Sequence, residues 1–210
     1  MKADKKTLIL TTLICLLPAA VGAAVYSRLP ETMATHWGFD GQPNGWSSRA
    51  FAVFGLPGVV AALNLLLHFG LGSDPKRQNM NGTLRTIALW TPAAVAVLAG
   101  GATIAWGLGY ELRINLVIPV LMGLLFVFIG NYLPKTKQSY TMGIRLPWTL
   151  HSEENWNRTH RLAGFLWVLG GVAFIVMSFI GWSMAAFFII LAVMVAVPTA
   201  YSYVLYRKGI

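Results

Sequence analysis

Six stretches of this chain are continuously apolar for about twenty residues each, and they determine what the chain can fold into. A helix of about 20 residues is needed to cross the hydrocarbon core of a bilayer, which is about 30 Å thick. Inside hydrocarbon every backbone amide must be hydrogen-bonded within the protein, so each stretch is predicted to form a helix. Only 11% of the residues are charged, against about 25% in soluble domains. The sequence therefore predicts an all-α, polytopic membrane protein with six transmembrane helices, at residues 7–26, 51–71, 86–107, 114–133, 162–182 and 184–206.

The basic residues predict which side of the membrane each loop occupies. With the N-terminus inside the cell, 13 of the 16 lysines and arginines lie in cytoplasmic segments, and only Arg28, Arg49 and Arg113 lie outside. Because cytoplasmic loops carry an excess of Lys and Arg, we predict that both termini are cytoplasmic. The acidic residues cancel the basic ones outside, so the whole formal net charge of +9 lies inside. Topology explains the basic charge, and no direct nucleic-acid partner is required.

Two long loops divide the chain into two predicted regions. Residues 1–110 hold the first three helices and an outer loop at residues 27–50, and residues 111–210 hold the last three helices and a cytoplasmic loop at residues 134–161. Long loops carry function more often than short connections do. The basic start of the chain also allows a cleaved signal peptide. The first apolar stretch exceeds the 7–15 residues of a signal core, however, so we expect a retained helix.

The predicted spans contain no Asp, Glu, Lys or Arg. Buried ionisable residues usually mark ion and proton pathways, so their absence from the sequence of the spans disfavours a small-molecule exporter. His68 lies near the cytoplasmic end of the second span, and Asn64 precedes it by one turn on the same helical face. This pair is either a polar site under the bundle or an interfacial histidine that caps a neighbour, and we favour the second interpretation.

The cytoplasmic loop does not have the composition of a flexible linker. Pro134 should end the fourth helix, and Leu146 should be extended because it precedes Pro147. Between residues 140 and 148 apolar side chains alternate with polar or small ones. This alternation predicts a half-buried segment at the membrane face, such as a small hairpin or a re-entrant edge.

The end of the same loop has the pattern of a helix start. Ser152 can cap a helix, and Glu153 and Glu154 favour the positive end of its dipole. We expect this helix to continue without a break into the fifth span, with Trp156 and His160 on one face.

Two other interpretations of this loop remain open. It could be an interfacial anchor in which Arg145 and Arg161 meet lipid phosphates. Alternatively, His151, Glu153 and His160 could serve a membrane-embedded, metal-dependent hydrolase, although their spacing differs from the H-E-x-x-H motif. No Ser or Cys has an obvious base beside it in the sequence. We therefore assign no catalytic residue, no metal and no cofactor.

The outer loop is dense in turn-forming residues. Asp40-Gly41 and Asn44-Gly45 are strong turn dipeptides. Together with the aromatic side chains around them, His36 and Trp46 are expected to fold over the outer mouth of the bundle. The loop is then either a compact cap that seals the helix ends or a surface for an extracellular ligand.

Each of the two regions contains a motif of Gly, Pro, Trp, His and other specific residues. In the second region these are Asn131 with Pro134; Gly143, Arg145, Pro147, Trp148 and Thr149; and Trp156, Thr159, His160 and Gly164. This pattern resembles the signature of the SdpI family, which consists of bacterial multi-pass membrane proteins. In the first region Pro30, His36, Gly41 and Trp46 resemble an uncharacterised domain that is often fused ahead of that signature.

The resemblance implies a non-enzymatic protein of the bacterial plasma membrane with two roles. One is immunity against a secreted antimicrobial peptide toxin, and the other is binding of a small cytoplasmic repressor. We accordingly expect the peptide to meet the outer loop at His36 and Trp46. The cytoplasmic signature around Arg145, Trp148, Thr159 and His160 would form the functional face inside the cell.

Overall fold

The helices agree with the apolar pattern of the sequence. The computed structural model describes residues 2–181 and 183–210, without the side chains of residues 2–4. Trp182, the predicted end of the fifth span, lies outside the described residues. Within them, six helices are long and apolar enough to cross a membrane, which confirms the predicted number. These six are α1 (Lys2–Ala24), α2 (Leu56–Gly72), α3 (Gly82–Gly107), α4 (Ile114–Tyr132), α6 (Glu153–Ile180) and α7 (Met184–Arg207), and the short helix α5 (Pro147–His151) precedes α6.

Large apolar side chains cover the outer faces of the long helices. Phe69 on α2 is 74% exposed, and Phe179 on α6 is 71% exposed. Contiguous apolar surface of this kind is unfavourable in water, whereas lipid tails match it. The exposed faces therefore suit a bilayer as the solvent of the chain.

The chain forms two compact units. Unit 1 comprises Met1–Gly70 and Thr86–Ile114, and unit 2 comprises Leu71–Arg85 and Asn115–Ile210. The connection between α2 and α3, residues 73–81, thus belongs to unit 2, although most of both helices belongs to unit 1.

Unit 1 contains a β-hairpin in the loop between α1 and α2. Its strands β1 (Thr32–Trp37) and β2 (Pro43–Ser48) pair antiparallel. Gly41 adopts a φ of 77° between them, as expected for the Asp40-Gly41 turn. The second predicted turn is wrong, because Gly45 lies within β2 and pairs with His36. A Cβ on Gly45 would lie 2.8 Å from the His36 Cβ, so this pairing needs a glycine.

Unit 2 is built on close contact between α4 and α6. A Cβ on Gly130 would lie 2.8 Å from the carbonyl oxygen of Gly164, and a Cβ on Gly164 would lie 2.7 Å from that of Gly130. Gly123 and Gly171 form a second such pair. Small residues allow helix backbones in a membrane to approach this closely. Gly164 of the signature is therefore a packing residue.

The loop between α4 and α6 differs in part from the prediction. Pro134 lies in a 3-10 turn that ends α4, and Leu146 is extended, with φ −110° and ψ 154°. The Ser152 Oγ accepts the Asn155 N–H at 3.1 Å and caps α6 as predicted. The predicted hairpin is wrong, because the described residues of this loop contain no strand. The predicted half-buried alternation is confirmed at Met142, Ile144, Leu146 and Trp148. Backbone N–H groups between residues 140 and 144 bond to side chains.

Candidate functional site

His160 lies in the first turns of α6, within residues 134–161, which we call the signature loop and which run from the end of α4 into the start of α6. The side chain is fully buried. Its Nε2 accepts the backbone N–H of Ile144 at 2.9 Å, and its Nδ1 lies 2.8 Å from the Trp156 carbonyl oxygen. A backbone N–H only donates and a carbonyl only accepts, so these contacts assign the neutral ring with its proton on Nδ1. Both ring nitrogens are therefore occupied within the loop.

Trp156 packs on His160 and closes the centre of the loop. The two rings stack with centroids 4.0 Å apart, and the Trp156 Nε1–H donates to the Thr136 carbonyl at 2.6 Å. Gly143 crosses this pair with a φ of 97°. A Cβ on Gly143 would lie 2.9 Å from the Trp156 ring and would also contact the His160 Nε2. Only glycine fits here, both for its backbone angle and for space.

Thr149 holds the turn that leads into α5. Its buried hydroxyl donates to the Ile144 carbonyl at 2.8 Å and accepts the Leu146 N–H at 2.9 Å. The Thr149 carbonyl accepts the side-chain amide of Gln138 at 2.9 Å. Thr149 thus joins Gln138 to the backbone of Ile144 and Leu146.

A second set of contacts fastens the loop to α7. The Trp148 Nε1–H donates to the Ser202 hydroxyl at 2.9 Å, and its ring stacks on Tyr206 at 5.6 Å. The buried Asn155 donates to the Ser202 carbonyl at 2.9 Å, and it accepts the Thr159 hydroxyl at 3.1 Å. The polar signature residues of α6 are therefore structural contacts inside unit 2.

Other signature residues lie on the surface. Arg145 is exposed, and its Nη1 donates to the Tyr140 carbonyl at 2.7 Å. Pro147 begins α5 and lines a cavity of about 470 Å³ together with Trp148. Asn131 is exposed on the last turn of α4, outside the network around His160.

Asp74 contributes to the same loop, and the sequence reasoning missed it. Its Oδ2 accepts the backbone N–H groups of Tyr140 and Thr141, each at 2.9 Å, and the Thr141 hydroxyl at 2.6 Å. Its Oδ1 accepts the Lys76 N–H at 2.7 Å. Burial raises the pKa of the Asp74 carboxyl, but hydrogen bonds from Thr141, Lys76 and Tyr140 outweigh it and hold the pKa below its ordinary value. Because Pro75 follows Asp74, the sequence predicts a turn at this place. It gives no sign of the hydrogen bond to Tyr140, which lies 66 residues further along the chain.

The β-hairpin carries the predicted residues of the outer loop. The Nδ1 of the exposed His36 lies 2.5 Å from the Asn44 Oδ1, and Trp46 is 56% exposed. Gly41 is buried at the turn, whereas Pro30 is exposed before β1. The structure therefore brings His36, Gly41 and Trp46 onto one hairpin and leaves Pro30 at its base.

Arg49 attaches the hairpin to the rest of unit 1. Its Nη1 donates to the carbonyls of Tyr26 and Leu29, at 3.1 and 2.9 Å, and its guanidinium lies 4.5 Å from the centre of the Tyr26 ring. Trp37 packs edge-on against Trp106 on α3, with centroids 6.2 Å apart. Contacts at the end of β1 and just after β2 therefore attach the hairpin to the rest of unit 1.

The pair of Asn64 and His68 contacts α1. Asn64 is fully buried, and its side-chain amide donates to the hydroxyls of Thr11 and Thr12 at 3.1 and 3.0 Å. The His68 Nε2 lies 3.2 Å from the Thr11 hydroxyl. The pair thus forms part of a polar contact between α1 and α2.

The residues of the hydrolase interpretation are not assembled into a metal site. Both nitrogens of His160 are engaged, the Nδ1 of His151 contacts the Pro147 carbonyl, and Glu153 is exposed. Among the described residues, no three His, Cys, Asp or Glu side chains are grouped so as to hold a metal ion.

Comparison with known proteins identifies both loop regions. Residues 135–202 match the SdpI/YfhL protein family, and residues 13–61 match a domain of unknown function, DUF1648. The chain is 28% identical over 206 residues to the Immunity protein SdpI of Bacillus subtilis (strain 168), covering 97% of each chain. No solved structure matches. The resemblance predicted from the two motifs is confirmed, and with its six long apolar helices the chain is a multi-pass bacterial membrane protein.

Proposed function

Since this chain carries the SdpI/YfhL family region within a multi-pass bacterial membrane protein, we propose that it is an immunity protein against a secreted antimicrobial peptide toxin. The observation that supports this most is its similarity to an immunity protein along nearly its whole length. That similarity includes both the hairpin and the signature loop. The proposal accordingly assigns sensing to the hairpin and response to the signature loop.

We place the hairpin outside the cell and the signature loop in the cytoplasm, as the distribution of basic residues predicts. The toxin then meets the hairpin, where exposed His36 and Trp46 are displayed on an element that Arg49 holds in place. Aromatic side chains provide a large contact area at a small cost in conformational entropy. A peptide would find a preformed surface there.

The signature loop is the cytoplasmic surface in this proposal, and it binds a small repressor protein. Its interior is fixed by His160 and Trp156, so exposed residues such as Arg145 are presented in a defined arrangement. A peptide on the hairpin can influence this surface only if it binds two arrangements of the protein with different affinities. Immunity and signalling are then two results of one binding event.

The experiment expresses the chain in a toxin-sensitive cell and compares survival. We expect His36→Ala and Arg145→Ala to reduce protection without changing the amount of protein in the membrane, and His160→Ala to reduce protection because it loosens the interior of the signature loop. Arg158→Ala is the matched control, because it removes only an exposed ion pair with Glu154, which is worth at most about 1 kcal/mol. If the three variants protect as well as the parent at equal abundance, these residues are not the site.

A further inference from the structure

The connection between α2 and α3 is built into the signature loop. Its residues 73–81 belong to unit 2, although both helices that it joins belong mainly to unit 1. Three of its side chains reach the loop: Asp74 binds residues 140 and 141, the Asn79 amide donates to the Gln138 carbonyl at 3.0 Å, and the Lys76 ammonium lies 5.2 Å from the centre of the Tyr140 ring. Neither matched family region extends to Asp74.

The contacts of Asp74 are those of an ionised carboxylate. It is buried, and all four donors described above point to its two oxygens. An asparagine at this position has one acceptor oxygen, and its NH₂ group would oppose at least one of these donors. Negative charge on Asp74 is therefore needed for the complete set of hydrogen bonds.

A continuous set of contacts leads from Asp74 to His160. Residues 140 and 141 are held by the carboxylate, and the next N–H, that of Met142, donates to the Ser139 hydroxyl at 2.9 Å. Gly143 then passes over Trp156, and the Ile144 N–H reaches the His160 Nε2. The backbone N–H groups of residues 140, 141, 142 and 144 thus all donate hydrogen bonds to side chains.

We propose that Asp74 is a positioning residue for the signature loop, and that its carboxylate holds residues 139–144 in the arrangement on which the protein's function depends. This proposal rests on the proposed function in one respect, since the arrangement matters only if the loop is the functional surface. It adds that the connection between α2 and α3 is a working part of that surface. A displacement of this connection would change the loop directly.

The test measures amide hydrogen exchange of the full chain in detergent micelles. Asp74→Ala, which removes both acceptor oxygens, should accelerate exchange of the amides of residues 140, 141 and 144 roughly ten- to a hundredfold, as expected when hydrogen bonds to a charged acceptor are lost. Amides of the hairpin and of α7 should exchange as in the parent. Thr141→Val should accelerate the amide of residue 141, and Thr141→Ser, which retains the hydroxyl, is the matched control.

Survival of toxin-treated cells provides the second readout. We expect Asp74→Ala to lower protection and Thr141→Ser to leave it intact. The proposal is overturned if the three loop amides exchange as in the parent, if exchange rises equally throughout unit 2, or if they accelerate while protection is unchanged. If the parent chain itself gives no protection, the proposed function fails, and the exchange experiment alone decides whether Asp74 positions the loop.

Discussion

Replacing Gly143 by alanine tests the structure of the signature loop most directly. Gly143 has a φ of 97°, where an L-residue is strained by roughly 1–2 kcal/mol. The added Cβ would also lie 2.9 Å from Trp156 and would press on His160, both of which are fully buried. Overpacking of a buried site typically costs about 1–3 kcal/mol more. We therefore expect Gly143→Ala to lower the free energy of unfolding by roughly 2–5 kcal/mol.

Gly109 provides a matched control for the backbone strain. Its φ is 88°, and a Cβ there would meet no atom within 4 Å. Gly109→Ala should therefore cost only the strain of roughly 1–2 kcal/mol. The assay is denaturant unfolding in mixed micelles under identical conditions, with intrinsic tryptophan fluorescence as the signal. If Gly143→Ala loses no more stability than Gly109→Ala, Gly143 does not lie against Trp156 and His160 as described.

Two further predictions concern Asp74 and the contact between α4 and α6. Because the pKa of Asp74 is lowered on folding, its contribution is complete above the ordinary aspartate pKa of about 3.9 and is lost as the pH falls through the lowered value. The difference in unfolding midpoint between the parent and Asp74→Asn should thus be constant at neutral pH and disappear in acid; a difference that persists at the lowest pH would contradict this. Gly164→Ala should cost about 1–3 kcal/mol, because its Cβ would lie 2.7 Å from the Gly130 carbonyl oxygen. Gly101→Ala, whose Cβ would meet nothing within 4 Å, should be neutral or stabilising by up to about 1 kcal/mol in the same unfolding assay; equal losses would argue against a close contact at Gly164.

The features predicted correctly from the sequence are those that depend on neighbouring residues. Apolar length is sufficient to predict a spanning helix, Ser152 caps the helix that follows it, and Leu146 is extended because of the adjacent proline. Each of these effects acts within a few residues. They are therefore visible without knowledge of the fold.

The features that were missed depend on distant partners. Alternation between residues 140 and 148 correctly predicted half-buried side chains but wrongly suggested a hairpin, because N–H groups of this segment bond to Asp74 and His160, which belong to other parts of unit 2. The outer loop was predicted to contain turns but no strands, because β2 contains Asn44, Gly45 and two serines, residues with weak strand preference. No local pattern identifies these pairings.

The two glycine pairs between α4 and α6 restrict how unit 2 can rearrange. They are seven residues apart on each helix, with Gly123 against Gly171 and Gly130 against Gly164. If α6 moved along α4 by one turn, about 5.4 Å, Gly164 would leave Gly130 and meet positions such as Phe126 and Val127, whose side chains occupy the space that a glycine leaves open. Axial translation is thus sterically blocked, so any conformational change transmitted along α6 would have to proceed without sliding along α4.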